Sequence, residues 1–189
     1  MKLQIQTAKA CHTCKNNELK VLSLNIRSLV KNIHTIKDEI ELYQKFDILC
    51  FNETNCLVDK LPNGLDDLLL DGFHEPLVKA PIRTTGKGGG LAIYINTDVC
   101  DFDDIEQFEP NPDPSRLVCE FQFAKINRCK GTNNTFIIGN VYRPPSRNPD
   151  EFNITLDATL NRLNRHSRKH VLLVGDFNID LIQHDKNIK

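Results

Sequence analysis

The chain has no dominant charge. Its formal net charge is −1 over 189 residues, so no global basic field draws it to nucleic acid, and any such contact must come from a local patch. It has no long apolar run either, and nothing approaches the roughly 20 residues that span a bilayer. The first residues, MKLQIQTAKACHTCKNN, lack the apolar stretch of a signal peptide. The expected location is therefore nuclear or cytoplasmic, not secreted, with reduced thiols. The sequons at Asn52, Asn133 and Asn153 then carry no weight. A second cysteine pair is missing as well. Among seven cysteines, Cys11 and Cys14 stand at C-x-x-C spacing, but a structural zinc site needs four ligands. Residues 1–17 are accordingly expected to form a flexible lead-in. The phosphate-binding order Gly-x4-Gly-Lys-Ser/Thr is also absent, so Ala80–Gly90 (APIRTTGKGGG) reads as a glycine-rich turn carrying Arg83 and Lys87.

What is present is ordinary globular composition, 40% hydrophobic and 26% charged, enough for one core over residues 18–189. Leu19–Leu24 reads as a short apolar strand ending at Asn25. Ile33, Ile36, Ile40 and Tyr43 then repeat at the spacing of one helix face. Phe46–Phe51 is a second buried strand, followed at once by Asn52, Glu53 and Thr54. A strand, a helix and a strand with short joints make a right-handed crossover with parallel strands. Asn25 and Glu53 therefore finish on the same sheet edge.

The middle of the chain is less periodic. LDDLLL (Leu65–Leu70) suggests one helical turn, and Leu91–Ile95 a strand. Leu117, Cys119, Phe121 and Phe123 alternate with Val118, Glu120 and Gln122, as in a half-buried strand. Lys130–Asn134 turns the chain back into an antiparallel hairpin. The opening pattern then recurs. Phe136–Tyr142 is a strand, and Arg143–Arg147 is a loop. Asn148, Pro149 and Glu151 mark a helix start, and Phe152, Leu156, Leu160 and Leu163 line its buried face. Val171–Val174 is a strand that Gly175 ends, with Phe177 free to point inward between Asp176 and Asn178. The second crossover puts Tyr142 and Asp176 on one edge. Spacing alone leaves open whether the two edges face each other.

The residues at these edges share a chemistry. Glu53 is a hard oxygen ligand suited to magnesium, which binds through one or two carboxylates and keeps several waters. Asn25 can add an amide oxygen or orient Glu53. Asp176 can hold or deprotonate a water, and Asn178 and the Tyr142 phenol can donate to a phosphate oxygen. Arg143 and Arg147, directly after Tyr142, are candidate phosphate contacts, with Arg83 and Lys87 a weaker second group. Arg162, Arg165 and Lys169 read as a solvated helix face.

The order LNIRS (Leu24–Ser28), FNET (Phe51–Thr54), NVYRPPS (Asn140–Ser146) and VGDFN (Val174–Asn178) resembles the endonuclease/exonuclease/phosphatase superfamily. Together with GGGLAIYI (Gly88–Ile95), it is most similar to the apurinic/apyrimidinic-endonuclease-like domain of non-long-terminal-repeat retrotransposons. The resemblance covers about Leu19–Asp180. It implies an α/β (α+β) fold, a four-layer sandwich of two mixed β-sheets flanked by helices. It implies magnesium-dependent hydrolysis (manganese being an alternative ion) that nicks duplex DNA, leaves a 3'-hydroxyl and primes reverse transcription. By motif position, Glu53 resembles the metal ligand and Asn25 its helper. Tyr142 resembles the residue touching the scissile phosphate, Asp176 the one positioning water, and Asn178 a phosphate contact. No membrane and no obligate protein partner are implied.

One motif of the family, a C-terminal Ser-Asp-His, is not matched. His184 and Asp185 lie too close to GDFN to supply it. The expectation is a C-terminally truncated copy with weakened or lost turnover, since such a histidine is typically worth about 10²–10⁴-fold. Two alternatives stay open: a non-catalytic nucleic-acid-binding remnant, and a phosphatase or lipid phosphodiesterase of the same superfamily.

Overall fold

The computed structural model describes residues 3–8, 19–82, 88–108, 119–130, 135–166 and 170–179. Two sheets carry the chain. The first contains β1 (Leu3–Ala8), β2 (Leu19–Asn25), β3 (Ile48–Asn52), β4 (Leu77–Lys79) and β5 (Leu91–Ile95), in the order β1-β2-β3-β5-β4. The second contains β6 (Ile105–Phe108), β7 (Glu120–Ile126), β8 (Phe136–Tyr142) and β9 (His170–Asp176), in the order β6-β7-β8-β9. Both are mixed. β2 and β3 are parallel, as are β8 and β9, and the remaining pairs are antiparallel. The crossovers are α1 (Leu29–Asp38) with the short α2 (Ile40–Tyr43), and α3 (Pro149–His166).

Three apolar layers follow from the two-residue period of the strands. Leu22, Leu24, Leu49 and Phe51 face outward onto Ile33, Ile36 and Tyr43 of the first helical layer. Val21, Ile48 and Cys50 face inward and meet Ala124, Ile126, Ile138 and Val174 of the second sheet. Phe121, Phe123, Ile137 and Val141 face outward again, onto Phe152 and Leu163 of α3. The result is the expected sandwich of helix, sheet, sheet and helix. Strands buried on both faces read as unbroken apolar runs, which is why LKVLSL and FDILCF show no alternation. Each fully buried Leu, Ile or Phe contributes about 1.5–3 kcal/mol relative to exposure.

The second crossover helix starts as the sequence predicts. The backbone N–H of Asp150 donates to Asn148 Oδ1 at 2.8 Å, and Pro149 occupies the first turn, where its missing N–H costs nothing. The first crossover is interrupted at Glu39, yet Ile33, Ile36 and Tyr43 keep one buried seam.

Three expectations change. Residues 3–8, read as part of a lead-in, pair antiparallel with β2 from Leu3↔Leu24 to Ala8↔Leu19. Cys11 and Cys14 lie outside the described residues. Gly175 does not end its strand, because β9 continues to Asp176. The strand around Phe121 is buried on both faces, so Glu120 and Gln122 point between the sheets and not to solvent. Among the described residues, no helix is long and apolar enough to cross a membrane.

Candidate active site

The parallel registers bring the polar strand ends level. Asn25 lies opposite Asn52 in the first sheet, and Tyr142 opposite Asp176 in the second. Stacking the sheets then brings the two edges together. Asn25 Nδ2 donates to Asp176 Oδ2 at 2.9 Å, and the Tyr142 hydroxyl donates to Glu53 Oε1 at 2.9 Å. One residue deeper, a buried amide pair clamps the sheets. Asn52 Nδ2 donates to Asn140 Oδ1 at 2.9 Å and to the Val141 carbonyl at 3.0 Å. Asn140 Nδ2 answers with the carbonyls of Phe51 at 3.0 Å and Ala92 at 3.2 Å. Buried polar groups paired in this way fix one register of sheet on sheet.

Local backbone geometry aims the carboxylates. Glu53 adopts φ 53°, in the left-handed region that most residues avoid. Its turn is held on one side by Ser28 N–H to Glu53 O and Leu29 N–H to Thr54 O, both 2.8 Å. On the other side, Thr54 N–H donates to Gly90 O at 3.1 Å and Asn55 N–H to Gly89 O at 2.9 Å. Asp176 follows Gly175, whose φ is 143°. A Cβ there would collide with the Val141 carbonyl, so only glycine lets β9 close on β8 immediately before the acid. Asn178, at φ 48°, donates its N–H to Asp176 Oδ1 at 3.2 Å and its Nδ2 to the Arg143 carbonyl at 2.9 Å. Phe177 turns inward as expected, edge-on to Phe152 with ring centroids 5.9 Å apart.

The Tyr142 phenol is held well above its usual pKa. Burial is the main cause, followed by its hydrogen bond to Glu53 and then by the negative charges of Glu53, Asp176 and Glu120. It is therefore a fixed neutral donor at any working pH. Asn25 Oδ1 is buried and has no hydrogen-bond partner. An orphaned buried carbonyl oxygen beside a carboxylate-lined rim is the donor chemistry a hard divalent cation takes.

One expected contact does not hold. Arg143 is only 3% exposed, and its guanidinium faces main-chain carbonyls. Nε donates to Phe177 O at 2.7 Å, Nη1 to Arg147 O and, at 3.5 Å, to Pro144 O, and Nη2 to Asn178 O. Its own N–H donates to Asp176 O at 3.0 Å. Arg143 thus ties the two loops of the second unit together and is not a surface phosphate contact, because a rigid fork of donors suits converging carbonyls. Arg147 is exposed in the same loop. Arg162 is exposed on α3. Arg83, Lys87, Lys169, His184 and Asp185 lie outside the described residues, as does the Arg165 side chain. Two features at the rim escaped the sequence reading. Arg27 is exposed at φ 52°, two residues after Asn25. Glu120 is buried beside the glycine loop, and its acidity inside an apolar alternation was the available signal.

Acids, amides and a protonated phenol are thus gathered at one strand-end rim of a two-sheet sandwich. The chain belongs to the Endonuclease/Exonuclease/phosphatase family, whose model matches residues 22–187. No curated protein matches it in sequence. Solved structures share the fold at low identity. An endonuclease/exonuclease/phosphatase family protein from Bacteroides thetaiotaomicron has a TM-score of 0.62 at 20% identity, over 86% of this chain and 64% of that one. The human Nocturnin catalytic domain has a TM-score of 0.63 at 16% identity, over 98% and 73%. An AP endonuclease from Archaeoglobus fulgidus has a TM-score of 0.55 at 21% identity, over 85% and 58%. The chain thus spans just under two thirds of the length of the Bacteroides protein.

Proposed function

We propose that this chain is a DNA-nicking phosphodiesterase domain of the retrotransposon type, dependent on magnesium or manganese and acting on duplex DNA. The carrying observation is the pair of cross-sheet contacts, Asn25 to Asp176 and Tyr142 to Glu53, which gather four candidate side chains at one rim. The motif spellings YRPPS and GDFN support the retroelement reading, and the likeness to an AP endonuclease supports the substrate class.

Glu53 and the free Asn25 Oδ1 would hold the cation. When bound, it stabilises charge developing on the phosphate oxygens. The other roles belong to the chain itself. Tyr142, locked in its protonated form, exchanges its bond to Glu53 for one to a non-bridging phosphate oxygen. Asn178 adds an amide donor, since its Nδ2 carries a second hydrogen. Asp176 has one oxygen on the Asn25 amide and one on the Asn178 N–H. It is thereby fixed to orient a water and accept its proton as that water attacks phosphorus. The P–O bond to the 3'-oxygen breaks as the water oxygen bonds to phosphorus, and the departing alkoxide takes a proton from solvent, giving a 3'-hydroxyl and a 5'-phosphate. Arg147 offers a backbone phosphate contact that sets affinity and salt dependence, not sequence preference.

The test is relaxation of supercoiled plasmid in magnesium. The expected result is nicked circle, reduced by roughly 10²-fold or more in Glu53→Ala, in line with loss of electrostatic stabilisation at the phosphate. Release of phosphate from small esters without nicking would favour the phosphatase reading. Binding without cleavage would favour the remnant reading.

A further inference from the structure

Outside the rim residues, Glu120 is a buried acid whose hydrogen bonds run between the two sheets. It is 3% exposed and sits opposite Tyr142 in the β7–β8 register. Its two carboxylate oxygens reach across to the first sheet. Oε1 accepts the Ile82 N–H at 3.1 Å, and Oε2 accepts the Gly90 N–H at 2.5 Å. Those two amides bracket the glycine loop. Beyond them, the Gly90 and Gly89 carbonyls receive the Thr54 and Asn55 N–H groups, and the Gly88 N–H donates to Asn55 Oδ1 at 2.9 Å. Glu120 is therefore joined, through one strip of backbone, to the left-handed turn that presents Glu53.

The strip is also a wall of the site. A Cβ on Gly88 would stand 3.3 Å from the Tyr142 hydroxyl and 3.9 Å from Glu53 Cδ. A Cβ on Gly89 would stand 2.6 Å from Glu120 Oε1. Gly88, Gly89 and Gly90 all have positive φ, at 107°, 99° and 83°. No side chain fits the wall at Gly89, and none is accommodated at Gly88 without pressing on the phenol.

We propose that Glu120 is a positioning residue: its carboxylate, accepting backbone N–H groups on both oxygens, locks the 88–90 backbone, which in turn sets the Glu53 turn and the Tyr142 hydroxyl. A carboxylate is needed because both of its oxygens accept. Glutamine would turn one oxygen into an N–H donor facing a backbone N–H. The proposal rests on the hydrolase reading for its consequence in turnover, but its structural half can be measured without substrate.

The experiment uses Glu120→Gln, the milder Glu120→Asp, and Gly88→Ala, which leaves Glu120 intact and disturbs the wall from the other side. Amide hydrogen exchange is expected to quicken at least tenfold at Thr54, Asn55 and Gly90 in Glu120→Gln, with β2 and β8 protected as in the parent. In plasmid nicking, kcat is expected to fall about tenfold with KM for DNA within twofold. Gly88→Ala should give the same split, and Glu120→Asp an intermediate one. Unchanged exchange at Thr54 and Asn55 in folded Glu120→Gln overturns the proposal. So does a uniform loss of protection across both sheets, which would mark Glu120 as a general structural residue. If the parent chain does not nick, the functional reading fails, while the exchange data still decide the role of Glu120.

Discussion

The two strand–helix–strand units share one topology but hold their functional ends by different means. In the first, the Glu53 turn is fixed by neutral backbone hydrogen bonds to residues 28–29 and 89–90. In the second, Asp176 and Asn178 are fixed by a buried cation, Arg143, gripping carbonyls on both sides. Their helix starts differ too. Asn148 caps α3 with its side chain, whereas Ser28 makes no side-chain cap before α1. There Asn32 donates back to the Ile26 and Ser28 carbonyls, each at 2.9 Å. A shared connection thus specifies where the strand ends arrive, and unrelated local chemistry decides how rigidly they stay.

The strongest way to break this asymmetry is Arg143→Met. It strips the partners from several converging carbonyls at once. The expected cost is on the order of 3 kcal/mol in urea unfolding, since hydrogen bonds to charged groups contribute about 1.5–3 kcal/mol each and a stranded buried acceptor costs further. Arg143→Lys should recover only part of this, because a point charge cannot reproduce the fork.

The clamp between the units comes next. Asn52→Leu or Asn140→Leu alone should each cost about 2 kcal/mol by stranding buried acceptors, Asn140 Oδ1 and the Val141 carbonyl in the first and the Phe51 and Ala92 carbonyls in the second. The double variant should cost clearly less than the sum, and a double-mutant cycle on denaturant midpoints reads the coupling. Additive losses would mean that the two amides do not act as a unit.

The caps sharpen the contrast at smaller scale. Asn148→Ala should lower stability by about 1 kcal/mol, the usual cost of losing an N-cap acceptor. Ser28→Ala should change it by less than about 0.5 kcal/mol, as for substitutions that remove no specific contact. Thermal unfolding of the two variants side by side checks this.

The last effect is silent at neutral pH. All three tyrosines are raised above the ordinary 10.0: Tyr43 by burial and then Glu39, Tyr94 by burial and then Cys56, and Tyr142 by burial and then Glu53. A raised folded-state pKa means that the native state binds its proton more tightly than the unfolded chain. The associated stability is complete below pH 10 and is lost as pH rises beyond it. The rise in absorbance at 295 nm should therefore be displaced above pH 10 and accompany unfolding. Titration of Tyr142 at its ordinary value in the folded protein, read by its loss in Tyr142→Phe, would contradict the enclosed rim.

Much of the site was legible because its signals are local. Parallel pairing follows from crossover length, and the rim positions follow from where apolar runs stop, so Asn25, Glu53, Tyr142 and Asp176 could be placed on their edges one unit at a time. The alternation around Phe121 was legible as a pattern but not as an environment. Glu120 and Gln122 occupy the face that a half-buried strand would give to water, and the first sheet covers it instead.

By itself, the sequence determined β2, β3, β5, β7, β8 and β9, the two crossovers and which polar residues reach a strand end, because periods of 2.0 and 3.6 and the handedness of the chain are properties of neighbouring residues. Only the tertiary structure decided that the two edges meet, through partners 151 and 89 residues apart. It also decided that Arg143 and Glu120 turn inward while Arg147 stays out. Whether a charged side chain is buried depends on distant backbone groups that can satisfy it, and those are supplied only when the sheets stack.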